Sequence, residues 1–119
     1  MAPKTDSLDM TNWSTQLRKG LLELCIVNIV GQGDIYGYDL VKRLASVQGL
    51  VVSEGTVYPL LSRLKTAGIL KTYLQESESG PARKYYSLTP DGKKLLQRMN
   101  RHWGHLITGV SGLINGKAT

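Results

Sequence analysis

The sequence has little of what a secreted or membrane-spanning protein needs. It holds a single cysteine, Cys25, so no disulfide can close within the chain. Met1 to Met10 lack the charged-then-apolar pattern of a secretion signal. The most apolar stretch, Leu21 to Val30, is broken by Glu23 and Asn28 and falls well short of the ~18 apolar residues a membrane span takes. A soluble chain in a reducing, cytoplasmic setting is therefore expected, with no membrane partner. Catalytic equipment is lacking too. No nucleophile with its base, no glycine-rich phosphate loop and no metal-ligand set stands at usable spacing, so neither enzyme activity nor a cofactor or metal is expected. Acids are scarce, 9 against 15 Lys and Arg, and the resulting net charge of +6 favours a polyanionic partner. At 119 residues there is room for one domain with a modest core.

What the chain does have is helical periodicity. Residues 1–13 show none and read as a flexible arm, although Trp13 is large enough to be anchored. From Ser14 to Val30, Leu17, Leu21, Leu24 and Cys25 form one stripe, and Leu22, Ile26 and Ile29 form another. A helix apolar on two faces implies two neighbours, its own core and a partner chain. Gly31, Gly33 and Asp34 interrupt the pattern. Leu40, Val41, Leu44 and Val47 then predict a short helix over Tyr38 to Val47, stopped by Gly49. Val51 and Val52 suit a brief extended segment before Ser53, the expected N-cap of a third helix with Glu54 in its first turn. On that helix Val57, Leu60, Leu61 and Leu64 point inward. Gly55, Pro59, Ser62 and Thr66 face out, flanked by Thr56, Tyr58, Arg63 and Lys65. Pro59 is expected within the first turn or so, where its missing N–H matters little, and Gly68 ends the helix.

Ile69 to Glu76 and Ala82 to Leu88, joined by a Ser77 to Pro81 turn cluster, predict a β-hairpin with Arg83 and Lys84 near its tip. Thr89-Pro90-Asp91 starts a last helix. Its Leu96, Met99, Trp103, Leu106, Val110 and Leu113 recur at alternating intervals of three and four, the pattern of a seam against another helix. Gly104, Gly109 and Gly112 weaken that helix, which therefore calls for a partner.

The order of elements predicts a mainly α (α+β) fold. It is a winged helix-turn-helix DNA-binding domain over 14–88 with an N-terminal helix, followed by a long C-terminal dimerisation helix over 89–119. A helix fits the major groove of duplex DNA while a basic hairpin reaches the phosphates beside it. The candidate groove contacts are Thr56, Pro59, Ser62 and Arg63. Ser53 and Tyr58 are placed to donate to phosphates, and Arg83 and Lys84 are the wing's candidate clamp.

The run Gly55-Thr56-Val57-Tyr58-Pro59-Leu60-Leu61-Ser62-Arg63-Leu64, followed by Gly68-Ile69-Leu70, Arg83-Lys84-Tyr85-Tyr86-Ser87-Leu88-Thr89 and Gly92, resembles the PadR family of bacterial transcriptional regulators. Tyr36-Gly37-Tyr38 with Leu40 fits the family's second helix and adds Tyr38 to the candidate DNA contacts. The single long helix after Gly92 is similar to the short-tailed branch, in which the first and last helices build the dimer. The resemblance implies a homodimeric repressor whose third helices enter successive major grooves of a palindromic operator. Some members of the branch bind flat aromatic drugs between paired tryptophans at the dimer interface. Trp103 falls at that tryptophan's position, which makes Met99, Trp103 and Ile107 the implied effector-binding residues. The chain departs from many relatives at Pro81-Ala82, where they place further basic residues, and this implies a less electrostatic wing.

Blander readings stand beside these. Arg83 and Lys84 also fit a solvated hairpin edge, and Trp103 fits seam packing alone. Cys25, on an apolar face without a basic neighbour, reads as inert packing. His102 and His105, three apart without a third ligand, read as solvated or interface histidines. A winged helix that binds protein instead of DNA is the rival function, against which Arg63, Lys65, Arg83 and Lys84 argue. An interface with no ligand is the rival to an effector pocket.

Overall fold

The computed structural model describes residues 9–116. Most of the expected arm, residues 1–8, lies outside them. The described chain contains four helices and one three-stranded sheet. Helix α1 spans Thr11–Gly31, three residues longer at its start than the periodicity indicated. The Asp9 carboxylate accepts from the Thr11 N–H at 2.8 Å, which supplies a start signal upstream of the first apolar residue. The Thr11 side chain, and after it this N–H, hold Asp9 below the usual carboxylate pKa. The two stripes of α1 behave as separate faces. Leu22, Ile26, Val27, Ile29 and Val30 are buried in the core, whereas Leu17 is exposed and Leu21, Leu24 and Cys25 are half-buried on the other side.

Strand β1 (Ile35–Tyr36) was not foreseen, because two residues are too few to show strand alternation. It pairs antiparallel with β3 (Gly80–Leu88), which pairs in turn with β2 (Leu70–Ser77), so β3 is central. The hairpin turn is tighter than expected. Gly80 and Pro81 belong to β3, and the register is shifted between Gln75 and Ser77. Pro81 is tolerated in a central strand because β1 reaches only Tyr85 and Tyr86, so no neighbour there asks for its missing N–H.

Helix α2 (Gly37–Ala45) buries Leu40 and Leu44. The expected extended segment at Val51–Val52 does not form a strand. Gly49 adopts φ +86° and Val51 φ +50°, so the chain turns sharply, sinks Leu50 into the core and leaves Val51 exposed. Helix α3 (Glu54–Thr66) follows and buries Val57, Leu61 and Leu64. It ends as foreseen: Gly68, at φ +80°, donates to the Lys65 carbonyl and Ile69 to the Leu64 carbonyl.

Helix α4 (Pro90–Ile114) is capped by Thr89, whose hydroxyl accepts from the Gly92 N–H at 2.9 Å. The same hydroxyl donates to the Gly68 carbonyl, stapling the end of α3 to the start of α4. Packing of α4 on α1 is pinned by two side-chain amides. Asn28 and Asn100 each donate to the other at 3.0 Å, and Asn28 also donates to the Leu24 carbonyl.

Candidate nucleic-acid interface

The outer face of α3 is open. Gly55, Thr56, Pro59, Ser62 and Thr66 are all exposed, on the side opposite the buried Val57, Leu61 and Leu64. Ser53 is the N-cap residue by position, but its side chain does not cap the backbone; its Oγ pairs with Thr56 Oγ1 at 3.1 Å. Both hydroxyls thus sit together at the positive end of the helix dipole, where an anion is favoured. Pro59 lies at the sixth helical position and not in the first turn as expected. Its missing N–H removes the usual i to i−4 donor to the Gly55 carbonyl, and both residues are exposed, so that acceptor is open to solvent.

Tyr58 stands on the flank of α3 with its ring beside Gly37, where an added Cβ would meet Tyr86 at 3.2 Å and the Tyr58 hydroxyl at 3.8 Å. Partial burial, then the nearby Glu54 and Tyr36, raise its pKa, so the phenol stays a proton donor at neutral pH. Arg63 does not extend freely outward. Its guanidinium reaches back to Glu23 of α1 at 3.0 Å, the sole ion pair among the described residues. Forty positions separate the two in sequence, and nothing in either local pattern foretold it.

The wing splits its basic pair. Successive strand residues point to opposite faces, so Arg83 and Lys84 cannot project together. The Arg83 guanidinium lies 4.8 Å from the centre of the Tyr36 ring. Lys84 is exposed on the other face, opposite Leu74. Tyr38 is exposed in the first turn of α2 with the Lys42 ammonium 5.3 Å from its ring centre. Sequence reading missed Lys42 and Tyr36. It also missed Arg18 and Lys19, which share a shallow depression with Thr56 beside the start of α3. The signal for Arg18 and Lys19 was a basic pair on α1 one turn before the buried Leu22, interpretable only once α3 is known to lie alongside.

Away from α3, an apolar groove of about 370 Å³ runs between α1 and α4. Leu17, Leu21 and Leu24 line one wall, and Met99, Trp103 and Leu106 the other. Of the implied effector residues, Met99 and Trp103 lie in this groove, whereas Ile107 is exposed on the other flank of α4 and lines no part of it. Burial raises the Cys25 thiol pKa, which keeps it protonated and unreactive. No cluster of three metal-ligating side chains occurs among the described residues.

Three helices, with α3 presenting a bare polar face, and a sheet whose hairpin extends beside it define a winged helix-turn-helix DNA-binding protein. Comparison with known proteins agrees. The family model for "Transcriptional regulator PadR-like family" matches residues 26–98. A PadR-like transcriptional regulator of Bacillus cereus is 39% identical, with 86% of this chain and 99% of that one covered and a TM-score of 0.79. A PadR-like transcription factor of Bacteroides fragilis is also 39% identical, covering 86% of this chain and 98% of that one with a TM-score of 0.70. A transcriptional regulator of Mycobacterium tuberculosis is 32% identical over 82% of this chain and 89% of its own length. The chain belongs to the PadR-like family and is a DNA-binding transcriptional regulator, not an enzyme. No described helix is long and apolar enough to cross a membrane.

Proposed function

We propose that the chain is a cytoplasmic homodimeric repressor that places two copies of α3 in successive major grooves of a palindromic operator. Residues 14–88 form the reading unit and the helix from Thr89 onward holds the dimer. The observation that carries this reading is the pairing of two unoccupied surfaces on one molecule. The polar face of α3 offers Thr56, Pro59 and Ser62 to a groove, while α4 exposes Leu106, Val110 and Leu113 at seam spacing. A second copy, presenting the same stripe, is the natural cover for that seam. Ser53, Tyr58 and the start of α2 face the phosphates in this arrangement. Arg63 joins the contact by exchanging Glu23 for a phosphate.

The deciding experiment is binding to the DNA upstream of the chain's own gene, across a salt series, with and without Arg63→Ala. Specific, salt-sensitive binding that Arg63→Ala weakens supports the reading. Failure there and in a selection from random sequence rejects it.

The Trp103 groove favours an additional reading, release of the operator by a flat aromatic effector. Its apolar walls and single large ring suit such a ligand. In a Trp13→Phe background, quenching of fluorescence by planar aromatic compounds that disappears in Trp103→Ala is the expected result. Absence of quenching leaves the groove as dimer packing.

A further inference from the structure

Strand register puts three tyrosines on one face of the sheet. Tyr36 is paired with Tyr85, and Tyr85 with Tyr73, while Tyr86 turns the other way into the core. Tyr73 and Tyr85 stack with centroids 5.6 Å apart, Tyr85 and Tyr36 follow at 6.0 Å, and Tyr38 continues the row from the start of α2 at 6.2 Å. At its far end the row is tied down by the Tyr73 hydroxyl, which donates to Asp34 at 2.7 Å. A cation rests on each of the two rings at the other end. Arg83, two residues from Tyr85 and so on the same face, covers Tyr36, and Lys42, one helical turn after Tyr38, covers Tyr38. The acid nearest in sequence is Asp39, in the first turn of α2.

This row does no work for the core. Tyr38 and Tyr73 are exposed, and Tyr36 and Tyr85 only half-buried. What the rings do is restrict two long side chains that would otherwise sample many rotamers, a cost normally met on binding. A guanidinium lying on a ring keeps its N–H edge free for phosphate oxygens, and the charge is retained.

We propose that Tyr36 and Tyr38 position Arg83 and Lys42 as a preformed two-cation clamp for the phosphate backbone of duplex DNA, at the junction of α2 with the wing. The proposal rests on the DNA-reading orientation put forward above and assigns the tyrosines as positioning residues. The occupant is a polyanion because the patch presents two cations fixed by rings.

The test uses a short random-sequence duplex, since phosphate contacts do not depend on an operator. Arg83→Ala is expected to lower the slope of log affinity against log salt by ~0.9. Tyr36→Leu should weaken binding by about two- to fivefold while Tyr36→Phe, which keeps the ring, stays within about twofold of wild type. The Tyr36→Leu/Arg83→Ala double variant should bind no more weakly than Arg83→Ala alone. A parallel cycle of Tyr38→Leu with Lys42→Ala, on an exposed helix start, covers the case in which Tyr36→Leu does not fold. Additive losses in both cycles, or Phe losing as much as Leu, overturn the clamp while leaving DNA binding intact. A wild-type chain that binds no duplex overturns the DNA reading and the clamp with it.

Discussion

Gly92 is buried in the first turn of α4, where an added Cβ would run into the Ile69 backbone carbonyl. A backbone atom cannot swing aside as a side chain can. Gly92→Ala should therefore cost about 1–3 kcal/mol, despite alanine's better helix propensity, and show as a lowered melting temperature. Asp34 supplies a second residue-scale effect. Hydrogen bonds from Tyr73 and then Ser87 hold its carboxyl below the usual value, and Tyr73 is raised in return, chiefly by the same bond. A depressed carboxylate stabilises the fold above its unfolded pKa of 3.8, and that stability is lost as pH falls through the still lower folded pKa. For Tyr73 the sign reverses: the contribution holds below its unfolded pKa of 10.0 and is lost as pH rises through the raised folded value. Tyr73→Phe should flatten both limbs of the stability-against-pH curve measured by denaturant titration. An unchanged acid limb would show that the bond does not matter to stability.

Among the elements, the crossing of α1 and α4 is held by the reciprocal amides of Asn28 and Asn100. Each alanine substitution removes both reciprocal bonds, although Asn28 keeps its bond to the Leu24 carbonyl, so the single variants should each cost up to about 1 kcal/mol and the double variant less than their sum. A denaturant double-mutant cycle measures the difference. Helix–helix packing of this kind was legible only in part. The stripes of α1 and α4, the inward Val57, Leu61 and Leu64 of α3, the hairpin and the Thr89 cap all follow from periodicity and local turn chemistry. The amide pair, the Arg63–Glu23 contact and the tyrosine row join residues far apart in the chain, and no local pattern encodes which of them meet. Val51 escaped for a different reason. Its β-branched side chain argues for extended backbone, yet the need to bury Leu50 just after Gly49 forces it into the left-handed region. Of the candidate site, the α3 face was readable because it is the complement of an apolar stripe, whereas the division of Arg83 from Lys84 needed the strand register.

At the scale of the molecule, the described chain measures 61 × 36 × 22 Å, elongated because α4 runs beyond the core that its first turns join. Leu113 and Ile114 are about four-fifths exposed at its far end. Under the homodimer reading, the melting temperature should rise with protein concentration, as it does for any assembly in which association stabilises the folded state. Val110→Glu, which puts a charge in the middle of the seam, should abolish that dependence and sediment as a monomer. A wild-type chain that sediments as a monomer at every concentration would count against the dimer.

The outer face of α3 contributes little to what holds the protein together. Thr56, Pro59 and Ser62 are exposed, and among the described residues only Thr56 of the three makes a side-chain hydrogen bond, to a neighbouring surface hydroxyl. Substitutions at such positions usually shift stability by no more than ~0.5 kcal/mol. Under the proposed placement of α3 in the major groove, folding and reading are entrusted to different residues of the same helix. A duplicated copy of this gene could acquire a new operator through a few changes on that face, one at a time, while every intermediate remained a folded protein.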